Sequence, residues 1–231
     1  MNQLFYAPSV ANGLARLDEE ESRHLLTVLR RQVGDRLQMT DGRGFFYEAE
    51  IVEAGKKHTV VRVLETTPIP SPPARLHIAI APTKQIERFE WFLEKAVEIG
   101  IQEITPLLCR RSERNAIRLD RLEKILVAAM KQSLQGRLPQ LNPLTPFPDL
   151  VRRSTAAQRC IAWCADTPLP NLKTCLQPAT DTVILIGPEG DFSPEEVTLA
   201  QTNGFVGVNL GPNRLRTETA GLVAVMYYAF I

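Results

Sequence analysis

The sequence predicts an α/β fold, a mostly parallel sheet flanked by helices, preceded by a small domain that is mostly β. Three observations support this prediction. The 231 residues suit either one large α/β unit or two modest domains. Short alternating apolar and polar runs occur within residues 35–64, and strand-like and helix-like segments alternate from residue 75 onward. With 44% hydrophobic residues, the chain can bury a substantial core.

One helix is predicted near the amino-terminal end, over residues 18–32. Acidic residues occupy its first turn and Arg30 and Arg31 its end, which is the order that the helix dipole favours. The helical repeat brings four apolar side chains to one face: Leu25, Leu26, Val28 and Leu29. We therefore expect a single amphipathic helix in the small domain.

The strands of the small domain are predicted within residues 35–64. Residues 41–44 and 55–57 interrupt the alternating runs and read as hairpin turns. The pattern therefore predicts a compact β unit of about 70 residues, and small barrels of this kind commonly bind RNA. A structural cap on the larger domain is the alternative.

The domain boundary is predicted at residues 66–73. This stretch carries four prolines within six residues, which excludes a helix and a central strand alike. We expect one domain over residues 1–70 and a second over residues 74–231. In the second, strands are expected at residues 75–82, 103–109, 159–165, 182–187 and 205–211, and helices at residues 87–101 and 118–135 and at the carboxyl end.

Cysteine and histidine spacing gives no indication of a metal site. The four cysteines form no Cys-x-x-Cys pair and are expected to be reduced, buried packing residues: Cys109, Cys160, Cys164 and Cys175. The three histidines lie too far away in sequence to complete a ligand set. The sequence also lacks a basic stretch followed by an apolar run, and it lacks a long apolar segment, so we expect a cytoplasmic protein.

Charge is segregated along the chain although the formal net charge is only +1. Residues 84–137 hold eleven Lys and Arg against eight Asp and Glu, whereas residues 183–231 hold two against five. A local basic patch of this kind suits RNA. A solvated helix face with ordinary ion pairs is the alternative, and charge alone favours it.

Two glycine-bearing turns near the carboxyl end are the candidate ligand loops. In the first, the strand at residues 182–187 runs into Gly187-Pro188-Glu189-Gly190, where glycine lets backbone amides approach a ligand. Ser193 then reads as a helix N-cap, with Pro194 as the first helical residue and Glu196 as the capping-box acid. This capping is structural.

The second turn follows the strand at residues 205–211. It places the polar cluster of residues 216–219 at a helix start, where side chains and free amides can converge on a ligand. For either turn alone, turn and cap chemistry explains most residues. Neither a phosphate-binding P-loop lysine nor a dinucleotide fingerprint is present, so a nucleotide-phosphate enzyme is disfavoured.

Together the two turns resemble a known family. GPEGDFSPEE at residues 187–196 and LGPNRLRTETA at residues 210–220 are similar to the signature of SPOUT-class methyltransferases, specifically the RsmE-type enzymes that make N3-methyluridine in small-subunit ribosomal RNA. Further matches occur in the family's order: HLLTVLRRQVGD, KQIERFEWFLEKAVEIGI, CRRSERN and KQSLQGRLP. The sequence departs from the family pattern at Asp191, usually glycine, and at Asn213-Arg214, usually Arg-Ile.

The resemblance implies a PUA-like RNA-binding barrel, a trefoil-knotted SPOUT domain and a homodimer. It also implies S-adenosylmethionine as the cofactor. The implied cofactor-binding residues are Leu185, Gly187, Pro188, Glu189, Gly190, Leu210, Gly211, Leu215, Arg216, Thr217, Thr219 and Ala220. Arg216 and Glu218 are the candidate catalytic residues, and an ion pair of Arg216 with Glu218 or Glu189 that merely orders the loop is the alternative.

The expected partner is small-subunit ribosomal RNA or the assembled small subunit. RNA phosphates are expected to meet a set of basic residues: Arg30, Arg31, Arg43, Lys84, Arg88, Arg110, Arg111, Arg114 and Arg137. Trp91 and Phe92 are not counted as stacking residues, because at helical spacing at least one of them belongs to the core. A non-catalytic RNA-binding or ribosome-assembly protein, in which the glycine loops are only turns, is the competing hypothesis.

Overall fold

The computed structural model describes residues 3–55 and 57–231. Lys56, in the second predicted hairpin turn, lies outside these residues. The chain divides into two compact units. Unit 1 comprises Met1–Ser71 and Val127–Leu138, and unit 2 comprises Pro72–Leu126 and Pro139–Ile231.

Unit 1 is built on a six-stranded sheet in the order β1-β4-β5-β6-β3-β2. Its strands are β1 (Leu4–Tyr6), β2 (Val10–Ala11), β3 (Leu14–Leu17), β4 (Arg36–Thr40), β5 (Phe45–Glu53) and β6 (Thr59–Pro68). The pairs are antiparallel except β1 with β4. Alternate residues of the strands face a common core that includes Leu17, Met39, Ile51 and Val61, which confirms the alternation predicted for residues 35–64.

The single amphipathic helix predicted over residues 18–32 is wrong. Helix α1 covers only Glu19–Arg23, a π-helical turn follows at His24–Val28, and Arg30 is left-handed with φ 57°. A π turn contains one extra residue, so the side chains that follow rotate away from the helical register. Only Leu25 of the four apolar residues is therefore buried, and Val28 is 66% exposed. The acidic first turn is confirmed, capped by Asp18.

Residues 127–138 pack in unit 1 through backbone pairing with the turn between β4 and β5. The Gly44 N–H donates to Gly136 O, and the Leu138 N–H donates to Gly42 O. Arg137 adds a guanidinium hydrogen bond to Ile69 O at 2.7 Å. The structure thus groups with unit 1 a segment that the sequence division had assigned to residues 74–231.

Unit 2 contains a seven-stranded sheet in which every pairing is parallel, in the order β10-β8-β7-β12-β11-β13, with β9 beside β8. Its strands are β7 (Leu76–Ile80), β8 (Glu103–Leu108), β9 (Gln140–Leu141), β10 (Thr145–Pro146), β11 (Gln158–Ala162), β12 (Thr182–Ile186) and β13 (Val206–Val208). The parallel α/β fold predicted from the alternation of elements is confirmed.

Six helices accompany this sheet: α2 (Ile86–Ile99), α3 (Leu119–Gln132), whose last turns belong to unit 1, α4 (Phe147–Arg153), α5 (Leu172–Cys175), α6 (Pro194–Thr202) and α7 (Thr217–Ala229). Helix α2 buries Phe89, Phe92 and Val97 at helical spacing, while Trp91 is 43% exposed. No described helix is both long and apolar enough to cross a membrane.

Helix α7 packs closely on β7 and α2 at Gly221. A Cβ at this position would lie 2.7 Å from Ile80 Cδ1 and 2.7 Å from the Phe92 ring. Such contacts are too short for carbon atoms, so glycine is required for this approach. The packing holds α7 against α2, and Glu218 Oε1 in the first turn of α7 lies 4.0 Å from Arg88 Nε in the first turn of α2.

The carboxyl ends of four neighbouring strands lie at one level of the sheet. Ile186 at the end of β12 is paired with Ile80 in β7 and with Ala162 in β11, and Ala162 is paired with Val208 in β13. Because all four strands are parallel, the segments that follow them emerge at the same edge. This edge carries the candidate site.

Candidate active site

A cavity of about 1300 Å³ lies at this edge of unit 2. Its lining comes mainly from the segments after β11, β12 and β13 and from the first turn of α7. Both glycine-bearing turns therefore line one cavity. We call residues 187–193 the first turn and residues 209–216 the second turn.

The first turn is closed by a dense set of hydrogen bonds. The Asp191 N–H donates to Pro188 O at 2.9 Å, and Asp191 holds a left-handed φ of 61°. The Ser193 N–H donates to Glu196 Oε2 while the Glu196 N–H donates to Ser193 Oγ, which confirms the predicted capping box. Helix α6 thus begins at a fixed point directly after the turn.

Other loops brace the first turn through hydrogen bonds. The Lys84 N–H donates to Glu189 Oε1 at 2.9 Å, and Arg111 Nη1 donates to Gly190 O at 2.7 Å. Asp191 Oδ2 accepts from the Cys164 N–H at 2.9 Å, which ties the turn to the loop after β11. The first turn is therefore held on several sides.

The second turn is fixed mainly at its start, by Asn209. Its N–H donates to Pro170 O and its carbonyl accepts from the Leu172 N–H, both at 2.9 Å. Its side-chain amide donates to Leu169 O, and Oδ1 accepts from the Gly211 N–H. Residues 169–172 are consequently bound to the start of this turn.

The two turns meet through Thr217, at the beginning of α7. Its hydroxyl donates to Gly187 O at 3.1 Å. This contact links the end of the second turn to the start of the first. The two turns are therefore joined directly at the cavity.

The two candidate catalytic residues differ in their contacts. Glu218 is 8% exposed, and its Oε1 lies 4.0 Å from Arg88 Nε. Arg216 is exposed on the cavity wall, and its guanidinium makes no hydrogen bond or ion pair with another described residue. The alternative in which Arg216 pairs with Glu218 or Glu189 is therefore not found in this structure.

Comparison with known protein families agrees with this arrangement. A model of the RNA methyltransferase domain matches residues 70–229, and a model of the RNA methyltransferase PUA domain matches residues 17–64. The chain belongs to the RNA methyltransferase family.

Individual relatives cover nearly the whole chain. The protein named Ribosomal RNA small subunit methyltransferase E from Buchnera aphidicola is 28% identical over 218 residues, which is 89% of this chain and 84% of the relative. A structure described as a probable rRNA-methyltransferase from Porphyromonas gingivalis is 45% identical, with a TM-score of 0.90 over 97% of this chain and 96% of that one. Ribosomal RNA small subunit methyltransferase E from Neisseria gonorrhoeae, solved bound to S-adenosyl methionine, is 26% identical, with a TM-score of 0.85 and coverage of 98% and 96%.

Most of the cofactor residues implied by the resemblance lie on the cavity of this methyltransferase domain: Gly187, Pro188, Glu189, Leu210, Gly211, Leu215, Arg216, Thr217 and Ala220. Leu185, Gly190 and Thr219 do not line it. The Leu185 side chain is buried in the core of the sheet, because it points to the other face of β12 from Ile186. A Cβ on Gly190 would face Arg111, and Thr219 lies on a different face of α7 from Thr217.

Sequence reasoning missed the loop after β11 as a wall of the cavity. Trp163, Asp166 and Leu169 line it, together with Cys164. The available signal was its position after a parallel strand, as for the other two turns. The expectation that all four cysteines are buried is wrong for Cys164, which is exposed; partial burial and the nearby Asp191 raise the pKa of its thiol.

The residues expected to meet RNA phosphates fall into two groups. Arg30, Arg31 and Arg43 in unit 1 are exposed, as are Lys84, which pairs with Glu113, and Arg110, which pairs with Glu195. The other four face backbone carbonyls or the cavity carboxylate of Glu218: Arg88, Arg111, Arg114 and Arg137. Three of these four guanidiniums donate to backbone carbonyls, and that of Arg88 faces Glu218 at the cavity.

Proposed function

We propose that this chain is an S-adenosylmethionine-dependent methyltransferase that methylates N3 of a uridine in small-subunit (16S) ribosomal RNA. The observation that carries the proposal is the shared cavity. Two glycine-bearing turns line it together with the guanidinium of Arg216, which is unpaired among the described residues. The RNA methyltransferase family match and the relatives named for small-subunit ribosomal RNA methylation support it.

The cavity suits an adenosine-containing cofactor in size and in backbone chemistry. Its volume of about 1300 Å³ exceeds the roughly 300–1,000 Å³ of typical small-molecule sites, so a cofactor and a nucleobase fit together. The Leu210 and Leu215 N–H groups have no acceptor among the described residues, and an adenine ring offers acceptors to such donors. Gly187, Gly211 and Thr217 complete the backbone surface that we propose holds the cofactor.

Arg216 stabilises charge on the substrate in this proposal. The cofactor supplies an electrophilic methyl group on a sulfonium, so the protein has to position the acceptor nitrogen and stabilise its charge. Uridine N3 carries a hydrogen at neutral pH and becomes nucleophilic as the proton leaves. A guanidinium with no competing partner in residues 3–55 and 57–231 is available to the negative charge that develops on the uracil ring.

Glu218 is the proposed proton acceptor. Its carboxylate lies at the cavity wall, and the attraction of Arg88 across 4.0 Å holds it there. In the balanced step the N3–H bond breaks, and the proton passes to a Glu218 carboxylate oxygen and then to solvent. The N3–C bond forms while the S–C bond of the bound methyl donor would break, with its electron pair staying on sulfur as a neutral thioether. Arg88, expected from sequence to meet phosphate, is thereby assigned to the catalytic cavity.

RNA binding is proposed for the PUA-like domain over residues 1–70 and for the exposed cations of the methyltransferase domain over residues 74–231. Phosphate contacts are assigned to five of the exposed basic residues: Arg30, Arg31, Arg43, Lys84 and Arg110. The target base has to leave any helical stack to bring N3 into the cavity. The substrate is the ribosomal RNA or the assembled small subunit in the cytoplasm.

A trefoil knot and a homodimer complete the proposal. The close passage of Asn209 against residues 169–172 and of Thr217 against Gly187 supports threading of the second turn. The apolar end of α7 supports a dimer, because Met226 and Phe230 are exposed beside a groove of about 400 Å³. Light scattering of the purified chain tests the dimer.

The decisive experiment combines calorimetry with S-adenosylmethionine and transfer of a labelled methyl group to small-subunit ribosomal RNA or subunits. We expect saturable binding of one cofactor per chain and N3-methyluridine in the digested RNA by mass spectrometry. Cofactor saturation without transfer to any RNA removes the enzymatic proposal. Absence of cofactor binding favours the alternative, a non-catalytic RNA-binding or ribosome-assembly protein.

A further inference from the structure

The segment directly after β8 touches the cavity turns without lining the cavity. It covers residues 109–114 and carries three arginines that the sequence assigns to RNA. Two of them, Arg111 and Arg114, direct their guanidiniums at backbone carbonyls of other loops in unit 2. Their orientation therefore depends on the fold of the site.

Arg111 spans the first turn from the outside. Its Nη1 donates to Gly190 O at 2.7 Å and to Phe192 O at 3.3 Å. Its aliphatic part packs on Gly190, where a Cβ would lie 3.5 Å from Arg111 Cβ and Cδ. One side chain thus joins two carbonyls on either side of Asp191, which has the strained left-handed backbone of the turn.

Arg114 braces the same turn indirectly. Its Nε donates to Thr83 O at 3.1 Å, and its Nη2 donates to Lys84 O at 2.7 Å. The Lys84 N–H in turn donates to Glu189 Oε1. The loop after β7 is therefore clamped between Arg114 and the first turn.

The segment that carries both arginines is itself fixed. The Cys109 N–H donates to Ser112 Oγ at 3.0 Å, and the Ser112 N–H donates to Cys109 O at 3.1 Å. The Arg110 N–H donates to Glu196 Oε1 at 2.8 Å, which joins the segment to the start of α6. A rigid base and charge-assisted hydrogen bonds are what a brace requires.

We propose that Arg111 and Arg114 are positioning residues that hold the first turn in its cofactor-binding shape, and that they are not phosphate contacts. The inference rests on the proposed function for the identity of the cofactor. It deepens that function by assigning the segment after β8 to the cofactor site. A positioning residue and a phosphate contact predict different effects when the arginine is replaced.

Hydrogen exchange of the ligand-free protein tests the brace independently of any cofactor. In Arg111→Ala, we expect exchange of the amides of residues 190–193 to rise at least fivefold, because both carbonyl contacts are lost. Arg118→Ala is the matched control, since Arg118 is exposed and pairs with Asp120. Unchanged exchange in Arg111→Ala overturns the proposal. Arg111→Lys keeps a positive charge and one donor nitrogen, so it should restore part of the protection.

Ligand binding separates the brace from a phosphate contact. We expect Arg111→Ala and Arg114→Ala to weaken S-adenosylhomocysteine binding at least tenfold and at least threefold, respectively. Their affinity for a small-subunit ribosomal RNA transcript should keep the wild-type salt dependence. A lost phosphate contact instead lowers the slope of log K against log salt by about 0.7–0.9. That lower slope, or unchanged cofactor affinity, overturns the proposal, whereas a wild-type chain that binds no cofactor overturns the proposed function.

Discussion

The two turns that line the cavity are held in different ways. The first turn is bonded from four directions, by the Lys84 amide, the Arg111 guanidinium, the Cys164 amide and the capping box of α6. The second turn is anchored by Asn209 at its start and by Thr217 just beyond its end. Between these anchors, the side chains of Asn213, Arg214 and Arg216 make no hydrogen bond or ion pair with other described residues.

The difference separates two tasks that a group-transfer site has to perform. A turn that is bonded on all sides presents a fixed surface to a ligand, which lowers the entropy cost of binding. A turn whose charged side chains have no partner in the described part of the chain keeps that charge available for a substrate. We therefore expect changes in the first turn to affect cofactor affinity, and changes in the second turn to affect turnover.

Arg216→Ala provides the largest expected effect. Loss of the guanidinium should lower kcat about 100- to 1,000-fold, as expected when a group that stabilises developing charge is removed. The dissociation constant of S-adenosylhomocysteine should change less than about threefold, because the guanidinium is assigned to the uracil ring and not to the cofactor. Single-turnover methylation and calorimetry measure the two quantities.

Arg214→Ala is the matched control for Arg216→Ala, since both arginines line the cavity from the same turn. We expect Arg214→Ala to keep kcat within about fivefold, which is about 1 kcal/mol. If Arg216→Ala turns over at the wild-type rate, the division of tasks between the two turns is wrong. If both variants lose activity equally, net positive charge matters and not the position of one guanidinium.

The local features of both turns were accessible from the sequence. An apolar strand followed by glycine and then by Ser193, Pro194 and Glu196 specifies a strand, a turn and a capped helix through contacts within a few residues. The predicted elements of the larger domain are confirmed for the same reason. The meeting of the two turns was expected from the resemblance, and it depends on the order of strands in the sheet.

The acceptors of the arginine side chains were not accessible from the sequence. Arg111, Arg114 and Arg137 donate to carbonyls that come within reach only when distant segments pack. A sequence records the charge and not its acceptor, so a brace and a phosphate contact look alike. The π-helical turn before Leu29 is similar, because one extra residue in a helix depends on tertiary packing and leaves no local pattern.

A Cβ at Gly187 tests whether the first turn is rigid. It would lie 3.2 Å from the ring of Phe192, which is buried, and 3.3 Å from the Phe192 amide nitrogen. In a braced turn these neighbours cannot yield, so Gly187→Ala should lower the free energy of unfolding by about 1–3 kcal/mol. Urea denaturation measures this change.

Gly190→Ala is the control for Gly187→Ala. Its Cβ meets only Arg111 carbons at 3.5 Å, an ordinary contact distance, so the free energy of unfolding should stay within about 0.5 kcal/mol of wild type. Equal stability of the two variants would show that the first turn adjusts readily, and the contrast between the turns would fail.

Asp191→Gly separates binding from stability in the same turn. The change removes the acceptor of the Cys164 and Phe192 N–H groups, and we expect the KM for S-adenosylmethionine to rise about fivefold as the loop after β11 loosens. Glycine relieves the left-handed backbone by about 1 kcal/mol, so the free energy of unfolding should change little. Asp191→Asn keeps one acceptor oxygen and tolerates this backbone, so it should lie near wild type; a fall in kcat with constant KM would contradict the assignment.

His77 is the expected source of pH-dependent folding, and it has to be separated from any pH dependence of the second turn. It lies at the start of β7, away from the cavity, where its Nε2 is 2.7 Å from Thr105 Oγ1. Burial lowers the pKa of His77 below its ordinary value of 6.5, and Arg75 adds to this against the opposing effect of Glu103. At pH values between the folded pKa and 6.5, the unfolded chain binds more protons than the folded chain. The contribution of neutral His77 to the free energy of unfolding is therefore full above pH 6.5 and is lost as the pH falls.

The urea concentration at the unfolding midpoint should therefore be lower at pH 5.5 than at pH 7.5. This decrease should be smaller in His77→Gln than in wild type or in His58→Gln, while the pH profile of kcat keeps its shape. A change in that profile in His77→Gln would mean that the pH dependence of turnover follows global folding and not the charges of the second turn, Arg214 and Arg216.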